Sequence, residues 1–243
     1  MSRSPLRAVF SLLVLAVVLL ASTPRVSVAA DITWTNAAGG DWSNSANWNS
    51  GAGPVPGPGD VAHITTNGTY TVNLDVDATV AGLELGAANG IQTLSVIKNT
   101  LILNGPATIG TQGVLTIVHD TLGGTGSLTN QGSIVLTGIT VDVPLSNQGT
   151  VTYVENCNQN GAVTTSSGSM LRVSAYNSVP TLSVANGFTN NGTIELASGG
   201  SFGSPVFSVI SGTLVSASGA AINVEAGSVS TERSMGRWRI TGR

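Results

Sequence analysis

From Gly68 onward apolar and polar residues alternate in short runs, and most runs open on Gly or Asn-Gly. Residues 69–74 place Tyr70, Val72 and Leu74 on one side and Thr71 and Asn73 on the other. Residues 101–103 and 114–118 follow the same rule. Alternation of period two, bounded by turn residues, predicts short half-buried strands, and no segment of this region shows the 3.6-residue period of a helix. Three runs are near copies: residues 128–136 (LTNQGSIVL), 145–153 (LSNQGTVTY) and 188–196 (FTNNGTIEL). Residues 167–171 and 211–215 are looser versions. Taking glycine as the register mark gives Gly113, Gly132, Gly149, Gly168, Gly192 and Gly212, with steps of 19, 17, 19, 24 and 20 residues.

A period near 20 with insertions predicts one strand-turn coil per repeat, stacked into a parallel β-helix. About 160 residues at about 20 per coil make roughly eight coils and about 40 Å of axis. In this reading Gly supplies a corner of positive φ, Asn stacks on Asn in an amide ladder, and the Ile/Val and Leu positions point inward onto their equivalents one coil away. A β-sandwich with similar hairpin turns is the alternative. The near-identity of the three runs favours the solenoid, because sandwich strands have different neighbours and rarely repeat one another.

Before the repeats lies an aromatic segment holding three of the four tryptophans, Trp34, Trp42 and Trp48. Gly39-Gly40 marks a turn, and Pro54, Pro56 and Pro58 exclude a helix. A solenoid needs its first coil covered, because an open end exposes apolar core and unpaired strand edges. The tryptophans can serve as that cap, or as a platform on which a glycan stacks. The series Trp34, Gly39-Gly40, Asp41-Trp42, Asn47-Trp48, Gly51, Pro56, Gly59-Asp60 and Ile64 resembles the opening of bacterial autotransporter-type passengers and related exported proteins with autotransporter-associated β-strand repeats. The resemblance covers about thirty residues and beyond them is one of repeat style. It implies a right-handed β-helix behind a signal peptide, on an adhesin-like or stalk-like surface protein.

The N-terminus agrees with export. Arg3 and Arg7 precede an apolar run over residues 8–21, and Val28-Ala29-Ala30 offers small residues before Asp31. This is the layout of a Sec signal peptide cleaved near Ala30. The run falls short of the ~20 residues that span a bilayer, so no stable membrane span is expected in the mature chain. The expected organisation is signal peptide 1–30, capping segment 31–62, repeats 63–229 and a basic tail 230–243. No outer-membrane barrel sequence follows the repeats.

Composition narrows the function. Charged residues make up only 9% of the chain. Between Asp31 and Ser230 only Lys98 and Arg172 are basic, against eleven carboxylates, so this stretch stands near −9 (two minus eleven). Such a surface repels nucleic acid. Cys157 is the single cysteine, so no intrachain disulfide forms, and a small-core or loop role is expected of it.

Candidate chemistry is sparse. Asp75 and Asp77, two apart, can share a strand face and make half of a calcium site. Asp120, Asp142, Glu155, Glu195 and Glu225 recur about once per coil, which reads as a solvated line rather than a glycosidase pair. His63 and His119 are the only histidines and lack a local ligand motif. The expectation is a non-enzymatic chain with no cofactor and no catalytic residues. Cell-surface glycans are its expected partners, with Trp34, Trp42 and Trp48 as candidate glycan contacts. The alternative is a polysaccharide-binding or polysaccharide-degrading β-helix.

Overall fold

The computed structural model describes residues 29–49, 55–175, 179–198 and 205–225. The expected signal peptide and basic tail fall almost wholly outside them. The described chain is an all-β parallel solenoid of about seven turns. Most turns contribute one strand to each of three parallel sheets, while in the last turns Thr189–Asn190 and Val215–Ser216 pair as a separate two-stranded sheet. The first full turn runs Val61–Ile64, Tyr70–Leu74 and Ala78–Val80, and the next Gly82–Leu85, Gln92–Ile97 and Leu101–Leu103. These are called below the first, second and third sheets, with seven, nine and seven strands.

The alternation seen in sequence is the burial pattern. Tyr70, Val72 and Leu74 face inward while Thr71 and Asn73 are exposed. On the second sheet the inward residues stack in register as Val72, Leu94, Leu115, Ile134, Val151, Leu171, Ile194 and Ile222. The steps along this ladder are 22, 21, 19, 17, 20, 23 and 28 residues, by subtraction of those numbers. All but Ile222 are buried. Each turn lies about 4.8 Å above the last, so no turn owns a core of its own and burial comes from neighbours.

The register differs from the glycine marks at two places. Gly149 is followed along the axis by Ser169, because Thr150 pairs with Met170. Gly192 is followed by Ala220, because Thr193 pairs with Ala221. Gly168 sits in the turn just before, with φ +83°, and Gly212 sits in a separate loop with φ +81°. The later turns are lengthened by such loops, which is why about seven turns form where a constant period of 20 predicts eight.

The reason for glycine at the first corner also differs. Gly113, Gly132, Gly149 and Gly192 are absent from the described residues of positive φ. What they provide is closeness between turns. A Cβ on Gly132 would lie 2.2 Å from the Gly110 carbonyl oxygen, one on Gly149 would lie 2.3 Å from that of Gly132, and one on Gly192 would lie 2.4 Å from that of Ser169. Beside these glycines runs the expected amide ladder. Asn130 Nδ2 donates to Asn147 Oδ1 at 2.9 Å, Asn147 Nδ2 donates to the Met170 carbonyl at 2.9 Å, and Asn190 accepts from Thr165 Oγ1 at 3.2 Å. All three asparagines are fully buried. In the earlier turns the same first-sheet column is apolar, Ile64, Leu85 and Ile109. The ladder thus replaces aliphatic stacking partway along the axis, where Asn130 follows Ile109.

Candidate functional site

The three tryptophans form the N-terminal cap. Trp34 packs edge-on against Trp48 at 5.1 Å between centroids, and Trp48 packs against Trp42 at 4.7 Å. Trp34 also stacks on Tyr70 of the first full turn at 6.4 Å. Their relative exposures are 0%, 0% and 1% for Trp34, Trp42 and Trp48. Each indole donor that is described has a backbone acceptor: Trp34 Nε1 donates to the Asn36 carbonyl and Trp48 Nε1 to that of Trp42. Rings so enclosed present no face to a sugar. The glycan-platform expectation at these residues therefore gives way to capping. Sequence could not separate the two roles, because both use large aromatics in a looped segment.

The cap is also part of the solenoid. Asp31–Thr33 pairs in parallel with Val61–Ile64, and Gly40–Asp41 with Tyr70–Leu74. Asn47 is buried between them, donating to the Asp41 carbonyl at 2.9 Å and accepting from Asn36 Nδ2 at 2.9 Å.

Asp75 and Asp77 do not converge. They lie on the connection after Tyr70–Leu74, not within a strand. Asp75 accepts from the Ser43 backbone N–H at 2.9 Å and from Ser43 Oγ at 2.6 Å. Desolvation acts to raise its pKa, but these hydrogen bonds prevail and hold the carboxyl below its usual value. Asp77 accepts instead from the Thr100 N–H at 2.8 Å. Among the described residues no group of three or more His, Cys, Asp or Glu side chains is placed to hold a metal ion.

The other carboxylates follow the same rule. Asp60 accepts from the Ala30 N–H at 3.1 Å, Asp120 from Thr100 Oγ1 at 3.0 Å and Asp142 from Asn160 Nδ2 at 2.7 Å. Asp41 accepts from Asn73 Nδ2 at 3.3 Å. Arg172 gathers Glu195 at 3.2 Å and Glu225 at 3.8 Å. Each carboxylate from Asp31 to Glu225 thus reaches a partner on a neighbouring turn, or two turns away for Glu155 and Glu225. They are not one solvated line but staples spread over the three sheets and their corners. The signal in sequence was their spacing of about one per coil, which suits a staple as well as a line.

Both histidines join this pattern. His63 lies between two carboxylates on the outer face of the first sheet, Nδ1 at 2.8 Å from Glu84 and Nε2 at 3.1 Å from Asp31. Desolvation lowers its pKa, but the hydrogen bonds and charges of Asp31 and Glu84 outweigh that and the imidazole titrates above its ordinary value. His119 Nε2 lies 2.8 Å from Glu155 Oε2. These two residues and Lys98 are the described non-glycine residues of positive φ, at 57°, 60° and 57° respectively for His119, Glu155 and Lys98. With Gly138 they mark one corner between the second and third sheets on four successive turns.

Cys157 is a core residue. Its Sγ lies 3.4 Å from the Val154 carbonyl oxygen and 3.6 Å from that of Leu136, and burial pushes the thiol pKa up.

One concavity stands apart from these staples. An open trough of about 440 Å³ runs along the corner between the first and second sheets. Its floor is the column Gly113, Gly132 and Gly149. One wall carries Ile91, Gln112 and Gln131, and the other Val114, Ser133 and Thr150. Parallel pairing brings glycine to the same register position on three successive turns there.

Fold and surface together define a capped parallel β-solenoid with a polar, almost uncharged flank. Comparison with known proteins finds no matching family model, no matching curated protein and no matching solved structure.

Proposed function

We propose that this chain is an exported β-solenoid of the cell surface or extracellular space. It acts as a rigid stalk or adhesin-like passenger, in the manner of the autotransporter-associated repeat proteins that its opening resembles. The observation that carries the reading is the use of charge. Each described carboxylate from Asp31 to Glu225 is engaged in a contact between turns, and Arg172 is held by Glu195 and Glu225. A catalytic carboxylate needs room to exchange a proton with substrate, whereas these groups serve to hold turn to turn. The capped start and the unbroken aliphatic ladder suit a rod that carries its surface residues at fixed spacing. The basic and apolar N-terminal run supplies the export reading.

Expression in a Gram-negative host tests it. N-terminal sequencing is expected to find cleavage near Ala30, with the mature chain in the periplasm, the medium or a protease-accessible surface fraction. Uncleaved chain confined to the cytoplasm would overturn the export reading.

A further inference from the structure

We propose that the glycine-floored trough binds a neutral polysaccharide, one extended strand lying parallel to the solenoid axis. This deepens the surface-protein reading by naming a ligand class, and rests on it only for where the two would meet.

Three observations carry the inference. The lining is uncharged, in a chain whose described part is strongly acidic, so anionic polymers gain nothing there. Among the described residues the side chains of Gln112, Ser133 and Thr150 make no hydrogen bond, and Gln131 makes a single long one, from Nε2 to Gln148 Oε1 at 3.4 Å. Primary amides on one wall and hydroxyls on the other offer both donors and acceptors, the complement of a polymer made of hydroxyl groups. Ile91, 47% exposed, and Val114 add apolar contact for the C–H faces of sugar rings.

The floor argues against a peptide strand. Strand addition needs unpaired backbone groups. The Gln112 carbonyl already accepts from Gln92, that of Gly132 from Thr150, and that of Gly149 from Met170. Recognition must therefore come from side chains. The three floor glycines span two turn spacings, roughly 10 Å, and the volume of about 440 Å³ suits a ligand of a few rings.

The test uses the purified full chain, whose binding is independent of how it is exported. Pull-down on insoluble cellulose, chitin, β-1,3-glucan and mannan is run beside the acidic polymers alginate and pectate, with a pool of extended peptides as competitor. Retention on at least one neutral polysaccharide is expected. The Gln131→Ala/Ser133→Ala double variant is expected to weaken it at least about tenfold, and Val114→Arg to abolish it, while Thr164→Ala on the outer face of the first sheet leaves it unchanged. Amide shifts caused by the soluble oligosaccharide of the retained polymer are expected around Gln131 and Ser133. No retention of folded protein on any neutral polysaccharide overturns the proposal. So does equal retention by the wall variants, or retention that only acidic polymers or peptides support. Failure of export in the earlier experiment would leave this result untouched.

Discussion

His119 and Glu155 stand 36 residues apart in sequence and 2.8 Å apart in space, meeting across the turn that lies between them. The residue between is Gly138. A Cβ there would lie 2.7 Å from His119 Cδ2 and 3.0 Å from Glu155 Oε2, and its φ is +60°. We expect Gly138→Val to break the contact and strain the corner, lowering stability by about 2 kcal/mol. Urea denaturation of the variant measures this. His119→Gly, which relieves the left-handed backbone while losing the pair, is expected to change stability by less than about 1 kcal/mol.

The first-corner glycines are required for closeness rather than for positive φ, and two substitutions separate these reasons. Asn tolerates the left-handed region and Ala does not. Both carry a Cβ that at position 132 would collide with the carbonyl oxygens of Gly110 and Gly113. Gly132→Asn and Gly132→Ala are therefore expected to destabilise alike, by about 3 kcal/mol or more. An Asn variant as stable as the parent would restore the torsional explanation.

The cap is expected to depend on pH through His63. Its folded pKa lies above the ordinary value, so the stabilisation is fully present below that value, near 6.5, and is lost as pH rises through the folded pKa. Hydrogen exchange of the residue 31–34 amides is expected to be slower at pH 6 than at pH 8.5 after correction for intrinsic rate. His63→Gln should remove the difference.

The amide ladder gives a third energetic test. Asn147→Ala removes the acceptor of Asn130 Nδ2 and leaves the Met170 carbonyl without its side-chain donor. With the cavity added, a loss of about 2–4 kcal/mol is expected. Asn147→Leu restores the volume and the aliphatic character of the Ile64, Leu85 and Ile109 positions, yet still leaves the Asn130 amide with only its bond to the Thr150 carbonyl. It should recover only part of the loss in the same denaturation series.

Trp48 touches both other cap tryptophans. Trp48→Ala is expected to cost about 3–5 kcal/mol and to open the first turns before the rest. Limited proteolysis should then cut between residues 30 and 60 while the later turns remain protected. Uniform loss of protection along the chain would show that the cap and the solenoid are one cooperative unit.

The sequence by itself determined the class of fold and the direction of most side chains. Alternation of period two names the inward residues, and near-copied runs such as LTNQGSIVL and LSNQGTVTY name residues that stack, because equivalent positions in a solenoid share one environment. It also marked Asn130 and Asn147 as stacked amides, while Asn190 joins their column through Thr165 and not through another amide. What only the tertiary structure decided are the contacts that depend on which turn lies over which. Gly168 and Gly212 fell off register because loop insertions change sequence distance without changing axial distance. The tryptophans were legible as a cluster but not as enclosed, since burial depends on Tyr70 and the strands stacked on them. Asp75 was legible as a carboxylate but not as the partner of Ser43, and the trough could not be seen at all. Gly113, Gly132 and Gly149 were legible as stacked positions, but where the surface dips beside them, and which side chains flank the dip without a partner, depends on how whole turns pair.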